Sequence, residues 1–264
     1  MPDPKEPKKA APAREPGTER LQVVLARFGI ASRRGVVAMI EEGKVTVNGE
    51  VVKEKGFRVN ANKDQIQVAG QELARGVVQE KRYFLLYKPR NVMTTMQDPH
   101  AEHTVAEFFQ DVPERLFPVG RLDRDTTGLI LMTNDGELAF RLTHPKFGVK
   151  KRYHVRVKGL VTSEEVKRLE AGVELEEDGV KDRTAPCQIT IEKFNPKETA
   201  LRVVLHEGKK RQIRRMFDGI GHRVLELERT DYGPLSLGDM KPGDRRELPN
   251  SDVRKLKEAA GLKG

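Results

Sequence analysis

The strongest constraint on this chain is the run Leu129-Ile130-Leu131-Met132, which comes directly after Gly128. Ahead of it lies a charged segment, Gly120-Arg121-Leu122-Asp123-Arg124-Asp125-Thr126-Thr127. A short apolar run bounded by turn-forming residues reads as a buried strand, although its length alone does not separate strand from helix. Asp123 then sits on a loop that enters the core and is anchored by the apolar run. A carboxylate so placed is a structural ion-pair partner or a reacting group, and this stretch leaves both readings open.

Composition narrows the setting. The 264 residues leave room for one large unit and a small one, and 37% are hydrophobic, enough to bury a core. No apolar run approaches the roughly 18 residues that a membrane span needs, so no membrane partner is expected. Lys and Arg number 49 against 40 Asp and Glu, a net charge of +9 that points to a polyanionic partner such as nucleic acid. The single Cys187 excludes an intramolecular disulfide and a thiolate metal cluster, which fits a reducing, cytoplasmic setting. Residues 1–18 alternate Pro2, Pro4, Pro7, Pro12 and Pro16 with lysines and alanines and read as a disordered basic tail.

Residues 19–70 form the first expected folded unit. Leu21, Val24, Leu25 and Phe28 recur at helical spacing before Gly29, and Ser32 caps a second helix carrying Val36, Val37 and Ile40. Val45-Thr46-Val47, Asn48-Gly49 and Val51-Val52 then spell a hairpin. Arg27, Arg33, Arg34 and Lys44 lie on or near these elements, either as solvated charges or as a phosphate-binding face. Residues 71–80 read as a linker and 81–250 as the main domain. In it we expect strands at 83–87, 129–132, 151–157, Gln188–Phe194 and 200–206, and strand and turn over 224–227 and 232–237. Helices are expected after Asp135, at Ser163–Glu170 and as a basic segment over 209–217, with a charged helical tail over 251–264. Long strands with few helices argue an α+β fold.

No phosphate-binding Gly-x-x-x-x-Gly-Lys-Ser/Thr loop occurs. Asp123-x-Asp125-x-Thr127-Gly128 imitates the start of a calcium loop, but Asn134 stands where a bidentate Glu is needed. The six histidines show no metal-ligand spacing beyond His100 and His103. What remains is Asp123 and a set of cations: Arg121 beside it, and Lys209, Lys210, Arg211, Arg214 and Arg215 in the basic segment. A guanidinium next to a carboxylate keeps it ionised and oriented, as a nucleophile or a salt bridge requires.

Two sets of motifs carry a resemblance. The run Leu25-Ala26-Arg27-Phe28-Gly29-Ile30-Ala31-Ser32-Arg33-Arg34, with Gly43-Lys44-Val45-Thr46-Val47-Asn48-Gly49, resembles the S4 RNA-binding domain. Gly120-Arg121-Leu122-Asp123, Thr126-Thr127-Gly128-Leu129 and Thr133-Asn134-Asp135-Gly136 resemble the catalytic motif of RNA pseudouridine synthases. Tyr87-Lys88-Pro89, Lys151-x-Tyr153 and the run from Glu207 to Met216 add to it, in the family's order. The resemblance implies a small S4 domain followed by a catalytic domain built on a mixed, largely antiparallel sheet, and an isomerase needing no cofactor and no metal. It implies Asp123 as the catalytic aspartate, Tyr153 as the aromatic residue against the target base, and Arg214 as the cation paired with the aspartate. It also implies that Arg121 fills the place of the flipped nucleotide, and extrusion fits the chemistry because a stacked base cannot be reached. Lys88, Lys209, Lys210, Arg211, Arg215 and the S4 cations are expected to bind RNA. Thr133 to Ala139 and His144-Pro145 are most similar to the synthases acting on 23S ribosomal RNA. The nearest rivals are a 16S-specific synthase and a non-catalytic S4-containing assembly factor, and a monomer is the expected state.

Overall fold

The computed structural model describes residues 17–73, 79–177 and 179–262. The expected basic tail, apart from Gly17 and Thr18, and the middle of the expected linker lie outside them. The chain divides into two compact units, one up to Glu80 and one from Lys81.

In the first unit, strand β1 (Glu19–Arg20) leads into α1 (Leu21–Arg27) and α2 (Arg33–Glu41). Ser32 caps α2 by accepting the Gly35 N–H at 2.9 Å. The strands β2 (Val45–Val47), β3 (Glu50–Val51), β4 (Arg58–Val59), β5 (Ile66–Val68) and β6 (Gln71–Glu72) come next. Four of them form a sheet in the order β3-β2-β5-β6, and β1 pairs with β4. Asn48 and Gly49 both have positive φ, +52° and +84°, which gives the two-residue turn the strand twist needed to pair β2 with β3. Leu21, Val24, Leu25, Val36, Ile40, Val45, Val59 and Ile66 close the core, each burial contributing about 1.5–3 kcal/mol.

The second unit is built on a sheet that, among the described residues, has nine strands. They are β7 (Tyr83–Lys88), β8 (Phe117–Pro118), β9 (Thr127–Thr133), β10 (Lys151–Lys158), β13 (Gln188–Phe194), β14 (Glu198–Leu205), β15 (Val224–Tyr232), β16 (Leu235–Ser236) and β17 (Arg245–Glu247). A separate hairpin joins β11 (Glu174–Glu177) to β12 (Val180–Arg183), which sequence patterning did not reveal. The main order is β13-β14-β10-β15-β9-β7-β17, with β16 on β15 and β8 on β9. Every pairing in this sheet is antiparallel except β9 with β15, where Thr127 faces Glu228 and Gly128 faces Arg229.

The run after Gly128 is continuous in apolar residues because β9 is covered on both sides. Leu129 and Leu131 pack with Leu138 and Leu142 of α3 (Gly136–Thr143) and with Val253 and Leu256 of α6 (Asn250–Ala259). Ile130 and Met132 point the other way, to Leu169 of α4 (Ser163–Glu170) and Ile213 and Phe217 of α5 (Gln212–Asp218). Strand β10 shows the contrasting pattern: Tyr153, Val155 and Val157 are buried, while Arg152 and Arg156 face out and pair with Asp231 and Glu198 at 2.8 and 2.7 Å.

Three expectations need correction. The helix expected in the C-terminal tail is present over Asn250–Ala259 but is packed and not a free tail, because Val253, Leu256 and Ala260, spaced three and four residues apart, all meet the core. The strand read at 224–227 runs on to Tyr232, and the strand and turn read over 224–227 and 232–237 are one long strand and a short return, turned at Gly233 with φ +57°. The basic helix starts at Gln212, not Lys209, since Arg211 holds a left-handed backbone (φ +48°) that cannot continue a helix.

Candidate active site

The parallel junction decides what meets at the site. Loop 119–126 feeds the start of β9, and α5 feeds the start of β15 through residues 219–223. Because the two strands run the same way, both lead-ins lie at one end of the sheet. Gly128 makes the junction possible. Its φ is +109°, and a Cβ there would lie 2.3 Å from the carbonyl oxygen of Arg229. Buried Arg229 adds a bond across the strands, its Nε donating to the Leu129 carbonyl at 2.8 Å.

The loop itself is clamped from the β7 side. The Thr94 hydroxyl donates to the Leu122 carbonyl at 2.7 Å, and the Leu122 N–H points back at that hydroxyl at 3.2 Å. The Asn91 N–H donates to the Arg124 carbonyl at 2.8 Å, and the Thr126 N–H to the Asp123 carbonyl at 3.0 Å. Lys88 completes the clamp. Expected on the RNA-binding surface, it is instead 0% exposed, and its ammonium donates to the carbonyls of Pro89 and Val92 at 2.8 Å and of Arg124 at 3.4 Å. Burial pushes its pKa down to about 8, against the pull of the carboxylates of Asp125 and Asp123. A side chain so enclosed holds the loop and is not on offer to phosphate.

Asp123 emerges from this clamp with its side chain 31% exposed and its carboxylate 3.8 Å from Arg211 Nη1. Arg214, which the resemblance pairs with Asp123, meets Asp125. Its Nη2 is 3.2 Å from the Asp125 carboxylate, 3.1 Å from the Asp125 carbonyl and 3.4 Å from the Thr126 hydroxyl. Asp125, two residues on from Asp123, meets Arg214 through both its carboxylate and its carbonyl, whereas the contact of Asp123 is with Arg211. Burial disfavours ionisation of Asp125, but Arg214 and Arg211 outweigh it and hold the carboxyl below the usual carboxylate range. Burial likewise lowers the Arg214 pKa, opposed mainly by Asp125 and then by Asp123. Arg90, exposed at the end of β7, also acts on Arg214, and no sequence pattern singles it out.

Tyr153 is buried in the apolar cluster that also holds Leu122 and Ile213, the neighbours in sequence of Asp123 and of Gln212 and Arg214. Across the sheet it faces Val203 and Arg229. Arg121 and Lys210 are exposed. Arg215 is half-buried and donates to the Lys210 carbonyl at 3.4 Å. The Lys209 ammonium is committed to Asp182, with Glu207 at 3.9 Å, so it staples β12 to the lead-in of α5. Gln212 secures the same turn, donating to Glu207 at 2.7 Å and accepting the Lys209 N–H at 3.0 Å.

In the first unit, Arg33 and Arg34 are exposed at the start of α2 and Lys44 is exposed beside Glu42. Arg27 differs. Its fork lies on both oxygens of Glu19, at 2.9 and 3.0 Å, which ties the end of α1 to β1. Its guanidinium is thus engaged within the unit.

Sequence reasoning assigns no role to Asp125, Thr94, Gly128 or Arg229. Asp125 carries a signal as the second half of an Asp-x-Asp pair, but its partner Arg214 is 89 residues away and no local pattern names it.

Comparison with known proteins agrees with this architecture. Residues 82–218 match the family of RNA pseudouridylate synthases, and residues 19–65 match the S4 domain. The chain is 45% identical over 244 residues to ribosomal large subunit pseudouridine synthase B of Bacillus subtilis, covering 92% of this chain and 97% of that protein. It is 39% identical over 255 residues to the protein of the same name from Pseudomonas aeruginosa, covering 94% of this chain and 64% of that one. A solved pseudouridylate synthase superposes with a TM-score of 0.64 at 30% identity, covering 90% of this chain and 99% of the other. The chain belongs to the RNA pseudouridylate synthase family, as an enzyme of the type that carries an S4 domain ahead of the catalytic one.

Proposed function

We propose that this enzyme converts a uridine of 23S ribosomal RNA to pseudouridine, with Asp123 as the reacting carboxylate. The observation that carries the substrate is likeness over nearly the whole of both chains to a relative named for the large ribosomal subunit. A non-catalytic assembly factor is disfavoured by the same match. Support for the residue comes from the loop geometry: Asp123 is partly exposed at the end of a rigidly clamped turn, with its oxygen loosely held by one arginine.

The reaction breaks the N1–C1′ bond of uridine, turns the base, forms a C5–C1′ bond and moves the C5 proton to N1, so atoms balance without a co-reactant. Asp123 supplies the oxygen that initiates cleavage, Tyr153 lines the base pocket, and Arg214 sets the field at the loop. Arg121 fills the stack that the extruded nucleotide leaves. Arg33, Arg34 and Lys44 hold RNA phosphates. The enzyme acts as a monomer in the cytoplasm.

Asp123→Asn tests the mechanism. Pseudouridine formation on a 23S fragment should vanish while the RNA Kd changes by less than about threefold. Turnover by that variant at the parental rate would overturn the assignment, and modification of 16S RNA in preference to 23S would overturn the substrate.

A further inference from the structure

Arg211 stands between two carboxylates and serves them unequally. Its Nη1 is 3.3 Å from Asp125 Oδ1 and its Nη2 3.5 Å from Asp125 Oδ2, so the fork runs along both oxygens of that group. The same Nη1 is 3.8 Å from Asp123 Oδ2, a single, longer contact. The two arginines also differ in how they are held. Arg214 has 8% of its side chain exposed and keeps the Asp125 carbonyl and the Thr126 hydroxyl as anchors whatever the Asp125 side chain does. Arg211 is 45% exposed and precedes α5 with a left-handed backbone, and its guanidinium meets the site through the carboxylates of Asp125 and Asp123.

Take Asp125 away and, among the described residues, the carboxylate paired with the Arg211 fork is that of Asp123. A guanidinium bonded along both oxygens of a carboxylate engages its lone pairs and disperses its charge. That pairing has to be given up before an oxygen can bond to carbon or accept a proton.

The geometry points to Asp125 as a positioning residue, a decoy carboxylate that occupies the Arg211 fork and keeps it from closing on Asp123. Asp123 is thereby oriented by an arginine without being sequestered by it. The inference rests on Asp123 being the reacting carboxylate.

Single-turnover rates and RNA dissociation constants, measured on a 23S fragment with the full chain, test it. Asp125→Ala should slow the chemical step by about tenfold or more, while RNA binding stays equal or tightens because a negative charge has left a basic surface. Asp125→Asn keeps one acceptor oxygen but loses the charge and the second acceptor, so its rate should fall between those of the parent and Asp125→Ala. The decisive variant is Asp125→Ala combined with Arg211→Ala. With no fork left to close, its rate at saturating RNA should rise above that of Asp125→Ala alone, whereas a merely structural Asp125 would leave the double variant no faster. Parental rates in Asp125→Ala, or a double variant no faster than it, overturn the inference. Should Asp125→Ala lose its cooperative thermal transition, Asp125→Ser is read in its place with the same expectations. An inactive Asp123→Asn alongside a fully active Asp125→Ala refutes the decoy alone, and an active Asp123→Asn refutes the reading beneath it.

Discussion

A methyl group added at Gly128 should unseat the loop that carries Asp123. The ideal Cβ would lie 2.3 Å from the Arg229 oxygen and 2.6 Å from its nitrogen, both backbone atoms of the paired strand. No side-chain rotation relieves such a contact, so β9 and β15 must part at the parallel rung or the backbone must leave φ +109°. Overpacking costs about 1–3 kcal/mol, and holding an L-residue on the left-handed side adds about 1–2. For a unit of this size, each kcal/mol moves Tm by about 2–4 °C, so Gly128→Ala should lower it by roughly 4–20 °C. Differential scanning calorimetry reads the shift. Hydrogen exchange at the amides of Leu122 and Thr126 should accelerate with it, because the loop loses its footing before the rest of the sheet opens. A variant melting within about 1 °C of the parent, with unchanged exchange in the loop, would refute the claim that the close approach of these strands positions the site.

Lys88→Met should slow single-turnover pseudouridine formation at least about tenfold while RNA affinity stays within about twofold, because the ammonium serves carbonyls of the loops and not the RNA. Loss of binding with the rate intact would contradict that. Lys88 and Lys151 are both held near pKa 8 by burial, with Arg229 adding to the effect at Lys151, so between about pH 8 and 10.5 the unfolded chain binds more protons and stability rises with pH. Urea unfolding at pH 7 and 9.5 should show the rise, on the order of up to 3 kcal/mol per lysine across the window, and Lys151→Met should flatten it. In the first unit, Arg33→Ala with Arg34→Ala should make the salt dependence of RNA binding shallower by roughly 1.5 in log–log slope, whereas Arg27→Ala should act chiefly on thermal stability.

The parts of the fold written in local pattern were legible. The Asn48-Gly49 turn, the two-sided burial of 129–132, the alternation along β10 and the limits of α4 are set by residues within one element. What escaped was set by partners distant in sequence. Lys88 reads as a surface cation beside a proline, and nothing local says that three carbonyls enclose it. Arg27 reads as one of a basic set until Glu19 is found against it. The start of α5 moved because Arg211 takes a left-handed backbone, which glycine usually signals and arginine does not. The β11–β12 hairpin is polar and largely exposed, so no periodicity marks it.

Where the structure bears local costs is itself informative. Four described residues other than glycine have positive φ: Asn48, Ala69, Asn91 and Arg211. The first belongs to a hairpin turn and the second precedes Gly70, both ordinary settings for that backbone. The other two flank the Asp123 loop, Asn91 by its bond to the Arg124 carbonyl and Arg211 by its fork. The fully buried Lys88 braces the same loop. Each such feature costs about 1–3 kcal/mol, and a loop required only for packing would be more stable without them. Their concentration around one partly exposed carboxylate, on a junction that already demands a glycine, is what a structure shows when geometry at a reacting group has been kept at the expense of stability.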